Sequence, residues 1–135
     1  MAAAALLLAQ VPLFLPGALA ADLPYLFQQL NNRVYKSSFD GLFRGEKNLA
    51  PWLRGYLKNR NGVDTPGQVV EAGGKSYELY EVCEPHNCPG NYIYVLATPG
   101  GGKAWALFTR EGGNYRFFGK PDEQQQALLM TAAKR

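Results

Sequence analysis

The residues with the widest chemical range in this chain sit together in one hexapeptide, Cys83-Glu84-Pro85-His86-Asn87-Cys88. It holds both cysteines and the single histidine. Four chemistries compete for it. Zinc would find only Cys83, His86 and Cys88, three ligands at cramped spacing with no second His or Cys pair to complete a tetrahedron. A Cys–His catalytic pair needs a free thiol, and each cysteine here has a near partner; the C-x4-C spacing also differs from the C-x2-C of dithiol redox motifs. A stapled hairpin that only stabilises its sheet is the third reading. The fourth is a stiff recognition loop that presents His86 outward and inserts its tip into a partner's cleft. Pro85 removes one backbone freedom from such a loop. An imidazole suits the tip, because it donates and accepts hydrogen bonds at neutral pH. A loop ordered in advance loses its freedom on folding rather than on binding. The residues alone do not choose between the stapled hairpin and the recognition loop; the expectation on either is no catalytic residue, no cofactor and no metal.

The state of the two sulfurs depends on the compartment. The first twenty residues, MAAAALLLAQVPLFLPGALA, are almost wholly apolar and carry no charge. Pro16 and Gly17 break the apolar stretch, and Ala18-Leu19-Ala20 supplies small residues at alternate positions. This is the layout of a secretory signal, although no Lys or Arg precedes it. The expectation is a cleaved signal over residues 1–20 and one domain over residues 21–135. In an exported domain the two cysteines are oxidised, either to each other or between two chains. Either form of disulfide removes the thiol that an envelope enzyme of the cysteine type would need.

The elements around the hexapeptide follow from periodicity. From Asp22 onward, Leu23, Leu26, Phe27, Leu30 and Val34 fall at helical spacing. Ser37 or Ser38 can cap a second short helix carrying Phe39, Leu42 and Phe43. Pro51 can open a third, with Trp52, Leu53, Tyr56 and Leu57 available for burial. After a polar loop at residues 59–67 the period changes to that of strands. Gln68–Ala72 and Lys75–Cys83 flank Gly73-Gly74, a two-residue hairpin turn. Tyr92–Thr98 (YIYVLAT) and Ala104–Arg110 (AWALFTR) are apolar on both faces and read as central strands, and Tyr115–Gly119 closes the set. Pro121, Asp122 and Glu123 open a last helix that ends on Lys134 and Arg135, as the helix dipole favours. The fold class is α+β: a five-stranded antiparallel sheet, helices packed on one face, and a protruding disulfide-closed loop between two strands.

The hexapeptide resembles the C-x-P-H-x-C loop of the Ivy family, inhibitors of vertebrate lysozyme made by Gram-negative bacteria. Ala50-Pro51-Trp52-Leu53 is similar to that family's Trp-containing segment before the first strand, and Thr65-Pro66 to Tyr77 to its first hairpin; the resemblance covers most of residues 35–131. It implies a periplasmic protein whose loop, stapled by Cys83 and Cys88, plugs the active-site cleft of a c-type lysozyme. His86 would enter between the two catalytic carboxyl groups and hydrogen-bond both. Pro85 would shape the tip, with Glu84 and Asn87 as rim contacts at the variable positions of the motif. The alternative target is the cell's own lytic transglycosylases, which act on the same polymer.

The charge is +3 with a pI of about 8.9. Basic residues are scattered, with no run beyond Lys134-Arg135, so no nucleic-acid partner is expected. No membrane association is expected once the signal is cleaved, and either a monomer or a homodimer fits. Animal c-type lysozymes are typically basic as well, so bulk steering between the two is weakly repulsive. Affinity has to come from the loop and its fit.

Overall fold

The computed structural model describes residues 23–135; the expected signal at 1–20 lies outside them. Its centre is an antiparallel sheet of six strands that pair in chain order: β1 (Leu23–Tyr25), β2 (Val63–Ala72), β3 (Lys75–Cys83), β4 (Tyr92–Ala97), β5 (Ala104–Thr109) and β6 (Tyr115–Phe118). Four helices accompany it: α1 (Leu26–Gln29), α2 (Arg33–Leu42), α3 (Pro51–Asn59) and α4 (Glu123–Ala133).

The sheet is a meander because its connections are short. Gly73 and Gly74 both have positive φ, and Ala72 pairs directly with Lys75, so β2 and β3 form the two-residue hairpin expected from the sequence. Central placement of β4 and β5 also holds, with β3 and β6 as their outer neighbours.

The corrections fall into two groups, the elements and the layers; among the elements, β2 begins at Val63, inside the loop expected at residues 59–67, because its first residues pair with the end of β3. The sheet has six strands rather than five. The segment read as one helix from residue 22 starts as β1, with Leu23 opposite Gly67 and Tyr25 opposite Pro66. Helix follows only at Leu26. Pro24 lacks an N–H and is confined to edge positions in a sheet, which is where β1 lies. Val34, placed on the same apolar stripe by spacing, belongs instead to α2 and is half exposed. The cap of α2 is Asn32, whose side chain accepts from the Val34 N–H at 2.8 Å, not Ser37 or Ser38. Ser38 lies inside the helix, and its hydroxyl donates to the Gly101 carbonyl at 2.6 Å.

The second correction concerns the layers. The helices occupy both faces. On one face Tyr80, Val82, Ile93, Val95, Ala106 and Phe108 pack with Leu26, Phe39, Leu53 and Tyr56 from α1, α2 and α3. On the other, Tyr77, Leu79, Tyr94, Leu96 and Leu107 pack with Leu129 and Ala132 of α4. Side chains alternate across a strand, so the uninterrupted apolar run of β4 supplies both cores at once. A strand apolar on both faces requires a cover on each side. The cover for the second face is α4, anchored by a capping box. Asp122 accepts from the Gln125 N–H at 2.8 Å, and the Gln125 side chain accepts from the Asp122 N–H at 2.9 Å.

Candidate functional site: the disulfide-closed loop

β3 ends at Cys83 and β4 begins at Tyr92, and these two residues are register partners. The eight residues between them leave and rejoin the sheet at one rung. The Glu84 N–H donates to the Asn91 carbonyl at 3.1 Å and extends the ladder by one bond. Cys83 and Cys88 are joined by a disulfide with Cα atoms 5.0 Å apart. Both sulfurs are thereby committed, and neither is a nucleophile or a thiolate ligand in this state.

Two proline turns in succession shape the connection. In the first, the Asn87 N–H donates to the Glu84 carbonyl at 3.0 Å, with Pro85 and His86 at the centre. His86 has φ +62°. Proline followed by a positive φ is the signature of a type II turn. In the second, the Asn91 N–H donates to the Cys88 carbonyl at 2.9 Å, with Pro89 and Gly90 (φ +77°) in the same two places. Gly90 fits its role, since a Cβ there would come 3.1 Å from the Glu111 Cα. His86 carries a Cβ, and a non-glycine residue in the left-handed region is uncommon, although histidine enters it more readily than most types. An imidazole held at that turn position is a constrained, exposed group.

The structure brings the expected residues together. His86 and Asn87 are exposed, while Glu84, Pro85 and Cys88 are half-buried. The Asn87 side chain donates to the Glu84 carboxylate at 3.0 Å, so the two flanking residues brace one another across the turn. Trp52, at the start of α3, stacks obliquely on Phe108 with ring centroids 5.9 Å apart. Trp52, Glu84, Arg110 and Glu111 line one shallow cleft of about 300 Å³ at the loop base. Sequence reasoning found the Trp-containing segment but not its position beside the loop.

It also missed Asn91, which is buried and ties the loop to the turn between β5 and β6. Its side chain donates to the Asn87 and Pro89 carbonyls, both at 3.1 Å, and accepts from the Glu111 N–H at 3.1 Å. The available signal was the Pro89-Gly90 dipeptide, which marks a turn whose last residue must find partners.

Nearby titration is set by burial. Desolvation raises the Glu81 carboxyl, opposed by Arg135. Desolvation also pushes the Tyr94 hydroxyl up to about 12, with the Glu81 charge adding to it. Further along β2, burial raises Asp64 despite hydrogen bonds from the Tyr56 hydroxyl and the Phe27 N–H. These groups lie in the scaffold rather than at the loop tip.

Residues 44–134 match the family described as inhibitor of vertebrate lysozyme. The chain belongs to the Ivy family. The matched segment runs from just after α2 to the end of α4 and contains the whole loop and its base. Ivy proteins are inhibitors and not enzymes. Among curated relatives, the chain is 26% identical over 121 residues to an uncharacterized protein of Yersinia pestis, covering 81% of this chain and 76% of the relative. It is 26% identical over 126 residues to the inhibitor of vertebrate lysozyme of Pseudomonas aeruginosa, covering 84% and 80%. It is 26% identical over 93 residues to the inhibitor of vertebrate lysozyme of Escherichia coli K12, covering 69% of this chain and 55% of the relative.

Proposed function

We propose that this Ivy protein is a periplasmic inhibitor of c-type lysozyme, exported by its N-terminal segment and working as one domain over residues 21–135. It protects peptidoglycan by occluding the enzyme's active-site cleft with the Cys83–Cys88 loop. The observation that carries this reading is the constrained, exposed His86 at the centre of a proline turn inside a six-residue disulfide ring.

The chemistry follows from what the target needs. A lysozyme cleaves with one protonated and one ionised carboxyl group. A neutral imidazole matches both states from one ring, with its N–H donating to the carboxylate and its bare nitrogen accepting from the acid. The surrounding ring fills space that substrate and water would otherwise take. Glu84 and Asn87, braced against each other, serve as rim contacts, and Pro85 fixes the turn that points the histidine. Because the loop is ordered before binding, little freedom is lost on docking.

The test is a muramidase assay with purified protein and a c-type lysozyme. The unaltered protein is expected to abolish activity near stoichiometry, and His86→Ala to weaken inhibition strongly. Full inhibition by His86→Ala would overturn the mechanism. A parallel assay on lytic transglycosylases separates a role toward foreign lysozyme from a role toward the cell's own enzymes.

A further inference from the structure

Asn91 is one of three buried polar or charged residues in the described part of the chain, with Glu78 and Gln125. Glu78 receives the Tyr35 hydroxyl at 2.6 Å, and Gln125 closes the capping box of α4. Asn91 acts on the loop. Its two side-chain donations reach the carbonyls of Asn87 and Pro89, and its Oδ1 takes the Glu111 N–H. Its backbone N–H bonds to the Cys88 carbonyl and its backbone carbonyl receives the Glu84 N–H. One residue thus makes five hydrogen bonds, to Glu84, Asn87, Cys88, Pro89 and Glu111.

The side-chain bonds fall on residues that the disulfide does not itself join. The disulfide fixes Cys83 and Cys88. The two peptides that flank Asn87 are held separately: the Asn87 N–H by the Glu84 carbonyl, the Asn87 carbonyl by the Asn91 side chain. The Glu111 bond then joins the loop to the turn between β5 and β6. Few side chains can do this. An aspartate would set a carboxylate against two carbonyl oxygens 3.1 Å away, and a serine has one donor instead of two.

We propose that Asn91 is a positioning residue of the inhibitory loop. It sets the direction of His86 by clamping the backbone of Asn87, and its bond from the Glu111 N–H anchors that clamp to the turn between β5 and β6. This rests on the lysozyme-inhibitor reading. It differs from an ordinary stabilising role, because the side-chain bonds of Asn91 go only to loop and turn atoms. The β3–β4 ladder from Cys83↔Tyr92 to Glu78↔Ala97 stands without them.

The experiment uses the full chain, with Asn91→Ala and Asn91→Asp made alone and in a His86→Ala background. Affinity for a purified c-type lysozyme is measured well below the melting transition. Amide hydrogen exchange is followed at Asn87 and Glu111 and, as scaffold references, at Val82 and Leu107. Asn91→Ala is expected to weaken binding about tenfold, the scale set by one or two groups that must be ordered anew on docking. In the His86→Ala background the same change should have almost no further effect, since the clamp acts through the histidine. Exchange should quicken at Asn87 and Glu111 and stay unchanged at Val82 and Leu107. Asn91→Asp keeps an acceptor for Glu111, so it should quicken exchange at Asn87 while Glu111 stays protected. An equal loss of affinity in both backgrounds, or unchanged exchange at Asn87, would overturn the proposal. Failure of the unaltered protein to bind lysozyme would instead sink the parent reading; it shows in that arm alone, and the exchange arm still decides whether Asn91 orders the loop.

Discussion

Replacing His86 by glycine should raise stability and lower inhibition in the same molecule. His86 has φ +62°. A residue with a Cβ in that region costs about 1–2 kcal/mol relative to the right-handed helical region. Glycine adopts it without that cost, but it also gives the unfolded chain more freedom, worth about 0.5–1 kcal/mol in the opposite direction. The net gain is therefore about 0.8 kcal/mol at the midpoints of the two ranges, a rise in Tm of about 2–5 °C for a domain of this size. Binding moves the other way. Removing the imidazole leaves the target's carboxyl groups buried and unpaired, a loss of about 2–5 kcal/mol, or about 30-fold or more in affinity. His86→Ala is the control, since alanine removes the imidazole yet keeps a Cβ at positive φ. It should match glycine in lost inhibition and match the native protein in Tm. Thermal melts and muramidase inhibition on all three proteins check this. A lower Tm for glycine than for alanine would refute the backbone argument, and unimpaired inhibition by either variant would refute the site.

Other outcomes follow from the same geometry. Reducing the Cys83–Cys88 disulfide, or replacing both residues by serine, should cost about 2 kcal/mol of stability, the chain-entropy value for so small a ring. Lysozyme binding should suffer more than folding does, as read from denaturant melts beside affinity; equal losses would make the staple purely structural. Leu129→Ala should destabilise the domain by about 2–4 kcal/mol, because Leu129 is fully buried between α4 and the second face of the sheet. A cost under 1 kcal/mol in denaturant titration would mean that α4 does not seal that face. Burial raises the Asp64 carboxyl, so the folded protein holds this proton more tightly than the unfolded chain does. Its contribution is favourable below the unfolded carboxylate range and is lost as pH rises through the raised folded value. Asp64→Asn should remove this falling contribution and make the slope of Tm against pH more positive across the acidic range; an unchanged slope in melts taken between about pH 3 and pH 7 would contradict the assignment.

The elements closest to the site were the most legible. Lys75–Cys83, Tyr92 as the start of β4 and the Gly73-Gly74 turn all stand where their residue types put them. Strand pattern and turn chemistry are local, and here no tertiary contact opposed them. The N-terminal segment was misread because Leu23, Leu26, Phe27 and Leu30 keep helical spacing across a boundary that only pairing with β2 creates. The helices were assigned to one face even though Tyr92–Ala97 is apolar on both. The pattern said that two covers were needed, and it left open which helix supplied the second.

The loop shows the same division. Residue types alone determined that one hexapeptide held both cysteines, a proline and the only histidine, and that a ring closed there would be stiff. They did not determine the positive φ of His86, the bracing of Glu84 by Asn87, or the placement of Trp52 and Glu111 at the loop base. Nor did they mark Asn91. A turn dipeptide is encoded within a few residues, whereas a buried amide is satisfied by whatever carbonyls and N–H groups folding brings to it. Glu111 lies twenty residues further along the chain, and only the pairing of β4 with β5 carries it to Asn91.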